Sequence, residues 1–204
     1  MVDNYVIHMD YSIKVIAIGV AASRCVRKMM EHPLTNVEYC IVSADETDLD
    51  LNNSNVRSIG LVPNCSPHII DSYGSNMWFN QCFVNWENEV KVKSIINQSA
   101  KQVVIVVGFG GGIGTSGTIW IAEISKKQNI PVTVVCTLPF GFEGERKRQR
   151  ALDAVKSLEE IGIAVKVLYA EDLWKMNEGL DLYNCFVFLD EYVTDTVASM
   201  LLRR

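Results

Sequence analysis

The run Gln102-Val103-Val104-Ile105-Val106-Val107-Gly108 passes directly into Phe109-Gly110-Gly111-Gly112-Ile113-Gly114-Thr115-Ser116-Gly117, and the reading of this stretch decides the fold class. Gln102 to Val107 is a run of β-formers without polar alternation, which predicts a strand covered on both faces. Positions 108–114 carry five glycines in seven residues, and helical periodicity then continues to about Lys127. Glycines at that density let the backbone turn sharply and bring several N–H groups close to a ligand, while the helix behind them adds the positive end of its dipole. That combination suits phosphate oxygens. The alternative is a tight connection in which the glycines serve packing alone.

Outward from this centre the pattern repeats. Ile13 to Ile18 is a short apolar run ending at Gly19, with helical spacing from Val20 to Met30. Val37 to Val42 is a β-branched and aromatic run that opens into the Asp- and Asn-rich stretch Asp45 to Asn55, and a weaker strand lies at Val56 to Ile59. The segment from Gly60 to Asn80 mixes Pro, Gly, Asn and Ser, and Phe83 to Ala100 reads as one amphipathic helix. Downstream come a strand at Pro131 to Thr137, a basic helix from Glu145 to Glu160 and a strand at Ile163 to Tyr169. A helical piece near Leu173 and a last helix from about Leu182 to Leu202 complete the chain. Strands alternating with helices, and too apolar to have a wet face, predict an α/β fold: a mostly parallel sheet with helices on both faces.

Composition narrows the classes further. The chain has 204 residues, 49% hydrophobic and 21% charged, which fits one globular domain and excludes a disordered chain or a coiled-coil array. Nineteen basic against 24 acidic residues give a net charge of −5, so nucleic acid is not an expected partner. No run of 18 apolar residues occurs, and MVDNYVIHMD lacks a basic leader; no transmembrane segment or secretory signal is expected, and the chain reads as cytoplasmic. The six cysteines form no C-x-x-C and are expected to be reduced core thiols. No His/Cys pair has the spacing of zinc ligands.

Gly112-Ile113-Gly114-Thr115-Ser116-Gly117 formally satisfies G-x-G-x-x-G. The dinucleotide fingerprint also requires an acid at the end of the next strand, and here that strand ends Val135-Cys136-Thr137. No G-x-x-x-x-G-K-[ST] is present either. Instead, Gly108-Phe109-Gly110-Gly111-Gly112-Ile113-Gly114-Thr115, followed by a helix, by Val134-Val135-Cys136-Thr137-Leu138-Pro139-Phe140-Gly141-Phe142-Glu143-Gly144 and by a basic helix, resembles the FtsZ/tubulin superfamily, FtsZ more than tubulin. Ile13-Lys14-Val15-Ile16 and the stretch from Val37 to Asp45 are similar to the opening of FtsZ.

The resemblance implies a Rossmann-like FtsZ/tubulin N-terminal domain across residues 1–204, with 1–12 an N-terminal extension and about 180–204 the final core helix. It implies GTP or GDP as ligand, with Mg²⁺ following a triphosphate. Gly19, Gly110, Gly111, Gly112 and Gly114 would cradle phosphates and Thr115 would offer a hydroxyl. Glu143 stands where the family's glutamate meets the ribose, and Lys147 falls where FtsZ usually has an arginine. Phe186 matches the aromatic against the guanine. Asp190 replaces an asparagine, and its carboxylate can accept from N1–H and the exocyclic amine of guanine; the alternative is a solvated acid on the last helix.

Departures from the family accompany these matches. The first phosphate loop reads Gly19-Val20-Ala21-Ala22-Ser23-Arg24, with one glycine and side chains expected to crowd the approach. Arg24 either pairs with a phosphate or sits solvated at the surface. The third loop corresponds to Gly60-Leu61-Val62-Pro63-Asn64-Cys65-Ser66-Pro67, and Ala170 stands where the family has an asparagine. In FtsZ the last helix leads to a loop whose acids complete the neighbouring subunit's site, and this chain stops at Arg204. The expectation is a guanine-nucleotide-binding protein with little or no hydrolysis alone, and a GTPase only if a partner supplies that loop. The alternative is a degenerate scaffold in a division-like or membrane-remodelling assembly. The last helix is apolar over more than one face (Phe186, Val187, Phe188, Leu189, Tyr192, Val193), so it is expected to pack on a second copy or a partner protein, unless residues 1–12 or 60–80 fold over it. Gel filtration with light scattering should return a dimer, and a clean monomer contradicts the self-association.

Overall fold

A computed structural model describes residues 12–49, 56–64, 76–96, 100–176, 179 and 181–202. Six strands form one sheet: β1 (Ile13–Ile18), β2 (Val37–Ser43), β3 (Val56–Gly60), β4 (Gln102–Gly108), β5 (Val132–Leu138) and β6 (Ala164–Tyr169). Every pairing is parallel and the order is β3-β2-β1-β4-β5-β6. The chain therefore builds outward from β1 in one direction, then returns to β1's other edge and builds outward in the opposite direction. Helices after β1 and β4 leave on opposite faces, and a crevice opens between them at the strands' carboxyl ends. The register pairs Ile18 with Val107, which sets Gly19 beside Gly108.

Alternation along each strand feeds two cores. Ile16, Ile18, Ile105, Val107, Val134 and Cys136 face the helices α3 (Asn76–Phe83), α4 (Trp86–Ile95), α5 (Gly112–Lys127) and α6 (Glu145–Glu160). Val15, Ala17, Ile41, Val104, Val106 and Val135 face α1 (Val20–Met29) and α8 (Leu182–Leu202). Among the described residues the two remaining helices are short, α2 (Glu46–Leu49) and α7 (Ala170–Met176). The edge strand β6 departs from the expectation of no wet face: Ala164, Lys166 and Tyr169 are exposed.

The single helix expected from Phe83 to Ala100 is two helices. Asn85 adopts extended backbone and its side chain accepts from the Asn88 amide, starting α4 afresh. Asn88 is fully buried, with its Nδ2 donating to the carbonyls of Val62 and Phe83 and its Oδ1 accepting from the Val62 amide. The break is therefore bonded to the segment after β3. Within the loop expected from Asp45 to Asn55, Glu46–Leu49 is helical, and 50–55 lie outside the described residues.

Cys25, Cys40, Cys136 and Cys185 are free and buried, as apolar surroundings favour. Cys82 is disulfide-bonded, which corrects the expectation of reduced thiols throughout. On α8 the stripe Cys185, Leu189, Val193 and Val197 is buried, while Tyr183, Phe188, Tyr192 and Leu202 stay exposed. Of the segments 1–12 and 60–80 offered above as cover for this helix, residues 1–11 and 65–75 lie outside the described residues. Among the described residues no helix is long and apolar enough to cross a membrane.

Phe79 sits fully buried between Phe83 and Trp120, at ring-centroid distances of 5.4 and 6.0 Å. Phe79→Ala should cost about 3–5 kcal/mol through lost burial and the cavity left behind, read as a lower midpoint in denaturant unfolding.

Candidate functional site

A cleft of about 850 Å³ opens at the carboxyl ends of the central strands, walled by α1, α5 and α8. Two helix N-termini meet in it. α5 starts after Gly111 and α1 after Gly19, neither has a side-chain cap, and neither carries an acid in its first turn. The first internal bonds run from the Thr115 amide to the Gly111 carbonyl and from the Ser23 amide to the Gly19 carbonyl. The amides before them are the orphan donors of each helix, so two positive dipole ends face one space.

The glycines allow this convergence. Gly19 has φ +79°, and a Cβ there would stand 3.6 Å from the Gly114 nitrogen, so the two backbones lie side by side. A Cβ at Gly114 would come within 3.0 Å of the Gly108 carbonyl and 3.1 Å of Val107. Gly111 opens to free space. Val20 and Ala21, expected to crowd the approach, are exposed and line the cleft without sealing it; Val20 is 51% exposed.

Of the residues expected from the sequence, Gly19, Gly111, Gly112, Gly114, Glu143, Phe186 and Asp190 line the cleft. Gly110, Thr115 and Lys147 do not. The Gly110 amide donates to the Thr115 hydroxyl at 3.0 Å, and its carbonyl accepts from Arg150 Nη1 at 2.9 Å. Both groups of Gly110 are thus turned into the protein, and Thr115, almost fully buried, frames the loop instead of offering its hydroxyl outward. Burial, with Arg146 nearby, lowers the pKa of Arg150. Lys147 pairs with Glu143 Oε2 at 3.2 Å, while Glu143 Oε1 accepts from the Phe140 amide at 2.9 Å. Glu143 is thereby aimed by the turn Gly141–Glu143.

Phe186 is held edge-on by Phe140, centroids 5.3 Å apart, and Phe140 in turn packs with Phe142 and Trp174. This aromatic box makes one cleft wall rigid and apolar. Arg24 is exposed and Asp190 is mostly shielded, so Asp190 is not the solvated acid of the alternative reading, and the two residues pair with each other. Arg24 Nε donates to Asp190 Oδ2 at 2.8 Å and Nη2 to Oδ1 at 3.3 Å, joining α1 to α8. That hydrogen bonding raises the Arg24 pKa further. Burial, then the Asp190 charge, pushes the Cys25 thiol up to about 12, so Cys25 is no nucleophile at neutral pH.

The sequence reading missed the lip formed after β2. Ser43, Ala44, Asp45, Glu46 and Thr47 line the cleft. Asp45 accepts from the Thr47 hydroxyl and amide, which hold its carboxyl below the usual range. Behind it Asp48 is buried and accepts from Ser43 Oγ at 2.8 Å and Ser23 Oγ at 3.1 Å, tying the lip to α1. Serine hydroxyls from two distant segments carry no periodic signal that would announce this triad. Among the described residues no three His, Cys, Asp or Glu gather to hold a metal; a hard cation here would depend on ligand oxygens.

The model of the Tubulin/FtsZ family, GTPase domain, matches residues 12–177. The cell division protein FtsZ of Aquifex aeolicus (strain VF5) is 29% identical over 196 residues, covering 92% of this chain and 50% of that protein. FtsZ of Porphyromonas gingivalis is 26% identical over 202 residues, covering 94% and 42%. The chain thus spans about half the length of these curated relatives. Among solved structures, the empty FtsZ dimer of M. jannaschii superposes with a TM-score of 0.72 at 22% identity, over 92% of this chain and 53% of that one. The GTPγS-bound CetZ2 protofilament of Haloferax volcanii gives 0.73 at 18% identity, over 93% and 58%. At such identities the structural likeness establishes the fold.

Gly114→Ala should destabilise the protein by about 1–3 kcal/mol, because the added methyl forces α5 away from β4; thermal unfolding measures the loss. Gly111→Ala, facing open space at a helix N-cap, should be nearly neutral in the same assay.

Proposed function

The chain belongs to the Tubulin/FtsZ family, and from that premise we propose that it binds GTP and GDP in the cleft between α1, α5 and α8. The observation that carries the reading is the meeting of two uncapped helix N-termini across Gly19 and Gly114, a cradle of main-chain donors suited to a phosphate tail. In this reading the amides at Gly111, Gly112 and Gly114 bind phosphate oxygens, Gly19, whose own amide donates to the Val42 carbonyl at 2.9 Å, lets the first amides of α1 come up beside them, and Gly110 and Thr115 keep the loop in shape. Glu143, aimed by the Phe140 amide and Lys147, accepts from ribose hydroxyls. Phe186 lies against the base and Asp190 accepts from the guanine N1–H and exocyclic amine. Mg²⁺ would enter with the triphosphate, held chiefly by its oxygens.

Hydrolysis by this chain alone is proposed to be slight. Phosphoryl transfer depends on positioning the attacking water and stabilising charge. Among the described residues, three of the four carboxylates lining the cleft are already engaged: Asp45 by Thr47, Glu143 by Phe140 and Lys147, Asp190 by Arg24. Acids supplied by a second copy or a partner would complete a GTPase. The exposed Phe188 and Tyr192 of α8 are the proposed contact for such a partner, and the setting is a cell-division-like process in the cytoplasm. The Arg24–Asp190 pair favours a second reading, in which the base end stays shut and the chain works as a scaffold in a division or membrane-remodelling assembly.

Calorimetric titration should show GTP and GDP binding with ATP silent; silence of all three at millimolar nucleotide supports the scaffold. Gly112→Val should abolish binding while the fold persists. Glu143→Gln should weaken it by about 1–2 kcal/mol, one charge-assisted hydrogen bond. Phosphate release should stay at background until a partner is added.

A further inference from the structure

Both oxygens of Asp190 are occupied by Arg24, whose Nε and Nη2 approach them side by side at 2.8 and 3.3 Å. This is the bidentate arrangement in which two parallel N–H groups fill the fork of a carboxylate. The guanine edge would use the same fork, because its N1–H and exocyclic amine are likewise two adjacent parallel donors. Only one pair of donors fits. The Cys25 thiol lies at 3.7 Å from Oδ1, and Asp190 itself is packed on α8 with 16% of its side chain exposed, against 42% for Arg24. Arg24 is therefore the partner able to swing out. We infer that Arg24 is an internal competitor of the base for Asp190 and so sets how strongly this cleft takes guanine.

The inference rests on the nucleotide-binding reading above. Nucleotide entry becomes an exchange: the guanidinium leaves the carboxylate as the base edge arrives. The apparent affinity is reduced by the fraction of molecules whose fork is filled. Adenine presents no two adjacent donors of this kind and cannot use the fork, so freeing the fork gains it nothing. Arg24 thus acts on guanine selectively, although it is a cation facing a cleft proposed to hold phosphates.

Titration of GTP and ATP into the wild type, Arg24→Gln and Arg24→Ala tests this, with thermal melting to confirm that each is folded. Both variants should bind GTP about two- to fivefold more tightly, the scale of a partly exposed ion pair, with ATP unchanged. Binding of GTP by the variants when the wild type is silent supports the inference equally. GTP affinity that is unchanged or weaker in both variants overturns it and leaves guanine binding intact, since a phosphate-binding arginine gives that sign. Equal tightening of ATP overturns it too, as the effect would not belong to the base. If no folded form binds GTP at all, the nucleotide reading fails and this inference fails with it.

Discussion

Two helices can aim their first turns into one crevice only if their backbones come together with no side chain between them. Gly19 and Gly114 meet that condition, and the rest of the site follows from it. The parallel order β3-β2-β1-β4-β5-β6 sets the ends of β1 and β4 next to each other. The left-handed conformation at Gly19 starts α1, and the close fit of Gly114 on Gly108 seats α5. Gly110 then makes the turn between them, pinned by Thr115 and Arg150. A glycine-rich sequence costs backbone entropy. Here that cost is offset by contacts from outside the loop, so the amides are already in place.

The other walls are side chains carried by more distant segments. Phe140, at the end of the strand after the glycine loop, holds both Phe186 and, through its amide, Glu143. One residue thus orders an apolar wall and a carboxylate. α8 closes the cleft with Asp190 while Val193 and Val197 pack into the second core, so this wall and that core are a single rod.

Most of the sheet was legible because the central strands β1, β2, β4 and β5 are apolar, largely β-branched runs, and parallel strands buried on both faces leave little else to read. The glycine loop was legible because five glycines in seven residues stand out in any sequence: Gly108 and Gly114 allow close approach and Gly110 the positive-φ turn. What escaped depends on residues far apart. The Arg24–Asp190 pair joins positions 166 apart, and neither residue's neighbours hint at the other. Asp48 looked like one more acid in a polar loop, yet it is buried on Ser43 and Ser23. The break before α4 was written in Asn85 and Asn88, an N-cap spacing hidden inside an apolar stretch. Thr115 and Gly110 were assigned outward because a motif gives the order of residues and not the direction in which their polar groups point.

The strand order also has a temporal side. Chains emerge from the ribosome N-terminus first. β1 can pair with β2, and β2 with β3, while β1's remaining edge has no neighbour until Gln102–Gly108 arrives to take its place beside Ile13–Ile18. Half of the sheet therefore waits with an unpaired, largely apolar border during synthesis, the kind of surface to which chaperones bind and along which nascent chains aggregate. The crevice is created only when that border is sealed, so the ability to hold a ligand arises late in the birth of each molecule.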